Sequence, residues 1–255
     1  KEASHMIVTD DNFASIVSAV EEGRIIYGNI RKFVYYLLAA NAAEVMIVFL
    51  TMLMDLPIPL TPIQLLWINL LTDAFPALAL GMEPGERDIM QQPPRDPQEP
   101  ILNRVARRII CVQSISITIA VLAVFIHGLE RYAYLGPELQ VRTAHTIAFA
   151  SLALAELPLA YSCRSEHHTV NYIGWFTNKY MLWAVVSSAV LVLATIYIEP
   201  LGIIFETTPL GLDELALVIA AAIFPFFVSE GVKVFFSRPA KTAINPKASN
   251  QTANM

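Results

Sequence analysis

The chain has 255 residues, of which 55% are apolar and 15% are charged, against about 25% charged in an average soluble domain. The mean hydropathy of +0.53 excludes an intrinsically disordered chain. The net charge of -5 and the lack of a basic run exclude a nucleic-acid-binding protein. Two cysteines are too few for a disulfide-rich scaffold.

The apolar residues lie in six blocks that are long enough to cross a bilayer, which takes about 20 residues at a rise of about 1.5 Å each. In chain order the blocks are residues 33–54, 61–82, 109–128, 143–162, 180–198 and 214–236. A buried helix of a soluble protein can be as apolar as one such block. Six in succession predict an all-α, polytopic membrane bundle of six transmembrane helices over residues 33–236.

The first helix is predicted to extend well upstream of its membrane block. Polar residues at 10–12 can cap a helix, and no proline interrupts the chain over 13–54. A helix of that length measures roughly 60 Å, twice the bilayer core. Residues 1–32 are therefore predicted to form a cytoplasmic hinge and stalk. The alternative is two helices, broken near Gly23 or Gly28.

The basic residues predict the orientation of the bundle, because Lys and Arg favour the cytoplasmic side. Fifteen of the 17 basic residues lie in the N-terminal stretch, the second and fourth connections, the end of the last span and the C-terminal tail. Only Arg131 and Arg142 lie in connections on the opposite side. Both termini are therefore predicted to be cytoplasmic. The polar residues 237–255 predict a disordered tail.

Three acidic residues lie near the middle of predicted spans, namely Glu44, Asp73 and Glu156. Each costs about 2.5–3.5 kcal/mol at the centre of a membrane helix, so each requires a partner or a function. Glu230 lies near the end of the last span, three residues before Lys233. That spacing predicts a local ion pair rather than a ligand.

Amide and hydroxyl side chains accompany two of these acids. Asn41 shares a helix face with Glu44, and Asn69 and Thr72 share one with Asp73. Carboxylate, amide and hydroxyl oxygens are hard ligands that suit Ca²⁺, and no His or Cys accompanies them. The pattern predicts a cation site. The alternative is that the amide and hydroxyl groups only hold helices together.

Two prolines lie beside the same acids. Pro76 removes a backbone donor and leaves the carbonyl group of about Thr72 free, and Pro158 follows Glu156. Free backbone carbonyls at membrane depth are tolerated where they line a cavity or an ion site. Pro76 can otherwise be a packing kink.

Several segments resemble the C-terminal membrane part of P-type cation-transporting ATPases. They are residues 9–24 (TDDNFASIVSAVEEGR), 36–44 (YLLAANAAE), 65–81 (LLWINLLTDAFPALALG) and 88–102 (DIMQQPPRDPQEPIL). The chain is most similar to calcium pumps of the sarco/endoplasmic-reticulum type and their bacterial relatives. The resemblance implies that the six spans are the last six of such a pump.

The resemblance also implies two adjacent calcium sites among the polar residues. The residues that match the first site are Asn41, Glu44, Thr72, Asp73 and Glu156. Those that match part of the second site are Asn69 and Asp73. Two Ca²⁺ ions carry more charge than the three acids neutralise, so the resemblance implies further ligands on a membrane helix outside this sequence.

The function implied by the resemblance is ATP-driven export of Ca²⁺ from the cytoplasm, with protons moving the other way, in a bacterial plasma membrane. The phosphorylation motif DKTG, the TGE loop and the GDGxND segment of the family do not occur in this sequence. ATP and Mg²⁺ are thus expected to act only through nucleotide-binding, phosphorylation and actuator domains outside it. The first four membrane helices are expected partners as well, together with the lipid bilayer.

Two other functions fit the residues. A secondary carrier or channel uses similar buried carboxylates, although it often has repeated halves, and no internal repeat is visible here. The chain can also be an inert helical fragment that needs a partner chain. Mn²⁺ and Na⁺ are alternative ions, because the ligand types alone do not separate them from Ca²⁺.

Overall fold

The computed structural model describes residues 12–86, 88–91, 93–94, 100–166 and 168–236. Within these ranges the chain is helical and contains no strand. The predicted tail at 237–255 and the first eleven residues of the predicted hinge lie outside the described residues. Among the described residues, six helical segments are long and apolar enough to span a membrane, which confirms the predicted all-α membrane bundle.

The longest element is α1, Phe13–Leu53, a single helix of 41 residues. The side chain of Asn12 caps it by accepting a hydrogen bond of 3.0 Å from the backbone N–H of Ala14. The helix continues without a break through Gly23 and Gly28, so the alternative of two helices is wrong. At about 1.5 Å per residue α1 is roughly 60 Å long.

The second span is built from three consecutive pieces. They are α2 (Pro62–Trp67), a π-helical turn (Ile68–Thr72) and α3 (Ala74–Gly81). Thr61 begins α2 with a capping box, in which its backbone N–H donates to the side-chain oxygen of Gln64. The span therefore keeps a helical winding throughout, with a wider turn at its centre.

The remaining four spans are single helices. They are α4 (Arg104–Arg131), α5 (Pro137–Ser162), α7 (Lys179–Tyr197) and α9 (Leu212–Phe236). Three short helical pieces lie in the connections: a 3-10 turn (Ala133–Leu135) before α5, α6 (Val170–Ile173) before α7 and α8 (Glu199–Ile204) after it. Asparagine side chains cap α4 and α7, as the Asn12 side chain caps α1.

Helix α5 lies at the centre of the bundle and contacts α1, α3, α4, α7 and α9. Alanines form much of its buried surface and allow neighbouring helices to approach closely. At the crossing with α4, a Cβ atom on Gly128 would lie only 3.3 Å from the Cα of Ala144. This central position brings Glu156 of α5 between the other helices that carry acids.

Candidate functional site

The three acids predicted from the sequence lie in one buried cluster. Glu44 is on α1, Asp73 joins the π-helical turn to α3, and Glu156 is on α5. Their residues are 7%, 1% and 0% exposed, respectively. The carboxyl groups of Asp73 and Glu156 are close neighbours, and Glu44 is near enough for its charge to act on both.

Two neighbouring side chains donate hydrogen bonds to this cluster. The amide nitrogen of Asn69 lies 2.7 and 2.8 Å from the two carboxylate oxygens of Glu44. The hydroxyl group of Tyr36 donates to Oδ1 of Asp73 at 2.9 Å. These contacts hold two of the acids in place on facing sides of α1 and the second span.

Three carboxylate oxygens of the cluster have no hydrogen-bond partner among the described residues. They are Oδ2 of Asp73 and both side-chain oxygens of Glu156. A buried polar atom without a partner costs about 1–3 kcal/mol, and more when it is charged. The arrangement therefore requires a bound cation or a proton to compensate it, and the three oxygens are possible ligands for a cation.

The π-helical turn orients the polar residues of the second span. The backbone N–H of Asp73 donates to the carbonyl oxygen of Ile68 at 2.9 Å, five residues earlier. Such widened turns are frequently found at functional sites. The hydroxyl group of Thr72 donates to the same carbonyl group at 2.8 Å. Thr72 is thus next to the cluster, but its hydroxyl hydrogen is directed back into its own helix.

Pro76 has the effect on the backbone that the sequence predicts. It has no N–H to donate to the carbonyl oxygen of Thr72. The hydroxyl group of Ser188, on α7, donates to that oxygen at 3.1 Å. The freed carbonyl group is therefore used to tie α7 to the second span.

Asn41 does not join the cluster. Its side chain is exposed on α1, and its amide nitrogen donates to the carbonyl oxygen of Leu37 at 2.8 Å. Asn69 is also exposed, although it contacts Glu44. The structure thus brings together Glu44, Asn69, Asp73 and Glu156. It places Thr72 beside them and Asn41 on the outer surface.

Sequence reasoning did not identify Tyr36 and Ser188 as part of this region. Tyr36 lies on the same buried stripe of α1 as Ala40, Ala43 and Glu44. A tyrosine on a stripe of small residues is a signal that could have indicated a polar contact across helices. Ser188 has no comparable signal, because nothing in its local sequence indicates which helix it faces.

A second polar network joins the helix ends on the predicted cytoplasmic side. The guanidinium group of Arg164, 1% exposed, binds the carboxylate of Glu83 at 2.7–3.0 Å and the carbonyl oxygen of Gly174 at 2.8 Å. The amide of Asn178 donates to Glu83 at 2.7 Å and to the carbonyl oxygen of Ala79 at 3.0 Å. The ends of α3, α5 and α7 are thus fixed together.

The predicted ion pair near the end of the last span is present. Nζ of Lys233 lies 2.8 Å from Oε1 of Glu230. The other carboxylate oxygen of Glu230 accepts a hydrogen bond of 2.8 Å from the backbone N–H of Val170. Glu230 therefore has a structural role and lies outside the acid cluster.

Comparison with known proteins gives consistent matches. Residues 57–235 match the family described as "Cation transporting ATPase, C-terminus". A "Calcium-transporting ATPase" of Bacillus subtilis is 43% identical over 231 residues, which are 91% of this chain and 25% of that protein. A "Calcium-transporting ATPase type 2C member 2" of Mus musculus is 36% identical over 251 residues, 97% of this chain and 26% of that protein. The chain spans about a quarter of the length of these relatives.

Proposed function

The chain belongs to the family of cation-transporting ATPase C-terminal regions, and from that premise we propose that it contains the cation-binding part of a P-type pump that exports Ca²⁺ from the cytoplasm. Both relatives described above are named as calcium-transporting ATPases. The proposed parent protein supplies the nucleotide-binding, phosphorylation and actuator domains and four further membrane helices. ATP and Mg²⁺ act through those domains.

The observation that carries this proposal is the set of unpartnered carboxylate oxygens at the centre of the bundle. Both oxygens of Glu156 and one of Asp73 are buried without a hydrogen-bond partner among the described residues. Ca²⁺ takes six to eight oxygen ligands, including carboxylates and amide carbonyl groups. The carboxylate of Glu44, which accepts from the amide nitrogen of Asn69, extends the oxygen set from α1.

We propose the following sequence of events at this cluster. A cation between Glu44, Asp73 and Glu156 offsets the mutual repulsion of their charges. When the cation leaves, protons replace it, because three carboxylates cannot remain charged together in a buried site. Protons would then move in the direction opposite to the cation, which is the proposed countertransport.

Asn41 has a different role from the buried acids. Its carboxamide is exposed one helical turn before Glu44. A helix of the parent protein that packs on this side of α1 would cover both Asn41 and Asn69. We therefore propose that these two amides contribute ligands only in the assembled pump, whereas Asp73 and Glu156 are already in place within this chain.

The test is a change of Glu156→Gln in the full-length protein. Glutamine keeps the size and one carbonyl oxygen but removes the charge, so we expect Ca²⁺-dependent phosphorylation from ATP to be lost. Glu44→Gln is expected to have the same effect. The matched control is Glu199→Gln, since Glu199 is exposed at the start of α8. Full Ca²⁺ stimulation in the Glu156→Gln protein would contradict the site assignment.

Ion identity is tested in the same assay by replacing Ca²⁺ with Mn²⁺ or Na⁺. We expect Ca²⁺ to stimulate phosphorylation at the lowest concentration. Proton movement is tested in sealed vesicles with a pH-sensitive dye, where Ca²⁺ uptake is expected to make the lumen more alkaline. Ca²⁺ uptake without any proton movement would contradict the countertransport proposal.

A further inference from the structure

A second group of ligand-type side chains lies outside the membrane-buried acid cluster, on the predicted cytoplasmic side. Glu86 and Asp88 follow the end of α3, and His168 lies between α5 and α6. One carboxylate oxygen of each acid and one ring nitrogen of the histidine all lie within 4.8 Å of one another. Two connections that are distant in sequence therefore bring three possible metal ligands to one place.

The backbone on the acidic side of this group is held by local turns. The N–H of Ile89 donates to the carbonyl oxygen of Glu86 at 3.0 Å, and the N–H of Gln91 donates to that of Asp88 at 2.9 Å. The guanidinium group of Arg24, on α1, donates to the carbonyl oxygen of Ile89 at 2.8 Å. Both acids thus protrude from a segment that is fixed to the stalk.

Contacts to its backbone and its ring also hold His168 in place. The backbone N–H of His168 donates to the hydroxyl oxygen of Ser165 at 3.1 Å. Its ring is stacked on that of Tyr172, with centroids 4.4 Å apart. Nε2 of His168 lies 3.8 Å from Oδ2 of Asp88, too far for a direct hydrogen bond. The gap between these two atoms can accept an ion that binds both.

We propose that Glu86, Asp88 and His168 form a binding site for a divalent transition metal, with Zn²⁺ as the ion that fits best. Zinc binds His nitrogen at about 2.0–2.1 Å and carboxylate oxygen at about 2.0–2.2 Å. In the tetrahedral geometry that zinc prefers, ligand atoms at these bond lengths are about 3.4 Å apart. The three half-buried side chains, whose ligand atoms lie within 4.8 Å of one another, would have to rotate inward to reach that spacing.

The ligand types separate this site from the acid cluster in the membrane. Imidazole nitrogen suits Zn²⁺ and related metals, whereas Ca²⁺ takes oxygen ligands. The cluster of Glu44, Asp73 and Glu156 offers oxygen only. A metal at His168 is thus bound by different ligand types from those proposed for the transported cation. The inference stands whether or not the chain transports Ca²⁺.

Among the described residues, Lys32 is one opposing charge beside this group. Its Nζ lies 3.7 Å from Oε1 of Glu86, beyond hydrogen-bonding distance, and donates instead to the side-chain oxygen of Asn29 at 3.4 Å. Because Lys32 makes no direct hydrogen bond to Glu86, the carboxylate of Glu86 remains available to a divalent cation.

A metal bound here has a mechanical consequence. It links the connection after α3 to the connection after α5 through direct bonds, close to the stalk α1. Among the described residues, these connections also meet in the buried network around Arg164 and Glu83. The bound metal would therefore hold the two connections at a fixed separation.

The test measures metal binding by the full-length protein in detergent. Zn²⁺ is titrated by calorimetry, and Co²⁺ is used as a spectroscopic substitute through its visible absorption. All measurements are made on protein that already carries Glu156→Gln, so that metal binding at the membrane acid cluster does not contribute to the signal. We expect His168→Ala and Glu86→Gln each to weaken Zn²⁺ binding at least about tenfold. Even mutation of residues that only contact the metal ligands typically lowers metal affinity by about 10–100-fold.

The matched control is His127→Ala, because His127 is an exposed histidine near the end of α4 on the opposite side. It is expected to leave Zn²⁺ affinity and the Co²⁺ spectrum unchanged. Thermal unfolding without metal confirms that each variant is folded. Zn²⁺ affinity that is unchanged by both His168→Ala and Glu86→Gln, or that falls equally with His127→Ala, would overturn the proposal.

Discussion

Replacing Arg164 with methionine is expected to destabilise the protein strongly. The guanidinium group is buried and binds both carboxylate oxygens of Glu83. Methionine fills much of the same volume but carries no charge and no donor. The change would leave Glu83, 4% exposed, with only the amide of Asn178 as a side-chain donor among the described residues.

The expected size of this effect follows from the burial of the pair. Removing one partner of a buried ion pair costs about 3–5 kcal/mol, because the other charge remains buried and uncompensated. This corresponds to roughly two to nearly four powers of ten in the unfolding equilibrium constant. Adding Glu83→Gln removes the stranded charge and keeps an acceptor for Asn178. The double variant Glu83→Gln/Arg164→Met is therefore expected to be more stable than Arg164→Met alone, with a coupling of about 1–3 kcal/mol.

The assay is reversible unfolding of the full-length protein in mixed detergent micelles, for both single variants and the double variant. Arg131→Met is the control, since Arg131 and Asp213 lie 3.5 Å apart with side chains 47% and 82% exposed. An exposed pair of this kind contributes about 1 kcal/mol at most. The reasoning is refuted if Arg164→Met costs no more than Arg131→Met, or if the effects at Arg164 and Glu83 are additive.

Three further predictions concern contacts elsewhere in the bundle. Ser188→Ala leaves the carbonyl oxygen of Thr72 without its hydroxyl donor, and we expect a loss of about 1–3 kcal/mol in unfolding free energy. Gly85→Ala places a Cβ atom 2.5 Å from Cδ1 of Ile25, and we expect overpacking to cost about 1–3 kcal/mol in the same measurement. Burial raises the pKa of the Cys163 thiol to about 11, so at pH 8 only roughly one thiol in a thousand is ionised and iodoacetamide labelling is expected to be slow.

Each of these predictions has a matched control. Ser187→Ala removes a hydroxyl group that bonds within its own helix, to Ala184, and should cost less than Ser188→Ala. Adding Ile25→Ala to Gly85→Ala should restore stability, and a double variant less stable than either single one would contradict the overpacking argument. Labelling of Cys163 should accelerate in denaturant, so equal rates in folded and denatured protein would exclude burial as the cause.

The sequence was a good guide to features that depend on one helix at a time. The six apolar blocks follow from the length and apolar composition of each segment taken by itself. The mid-membrane positions of Glu44, Asp73 and Glu156 follow from their distance to the ends of those blocks. The free carbonyl group of Thr72 follows from the missing N–H of Pro76, which acts within a single helix whatever its neighbours are.

Features that depend on how two helices face each other could not be predicted in the same way. The contact between Tyr36 and Asp73 requires α1 and the second span to be rotated so that both side chains point inward. That rotation is set by packing over the whole interface rather than by local pattern. The same holds for Asn41, which has the spacing of a ligand relative to Glu44 but lies on the outer surface.

The connections were the least predictable part. Arg164 and Glu83 are separated by 81 residues in the chain, and Asp88 and His168 also come from different connections. No periodic pattern relates such residues. Their contacts depend on where helices of different lengths end, and those ends are fixed by caps and by packing around α5.

The attachment of α1 to the segment after α3 divides this helix into two arms. Asn29 donates a hydrogen bond of 2.7 Å to the carbonyl oxygen of Glu83, and this contact lies partway along α1. The arm from Phe13 to Asn29 measures about 24 Å and the arm from Asn29 to Glu44 about 22 Å. If α1 pivots there as a rigid rod, any sideways displacement at Phe13 is reproduced at Glu44 with nearly equal size and opposite direction. A lever with equal arms transmits movement to the acid cluster without amplifying or reducing it.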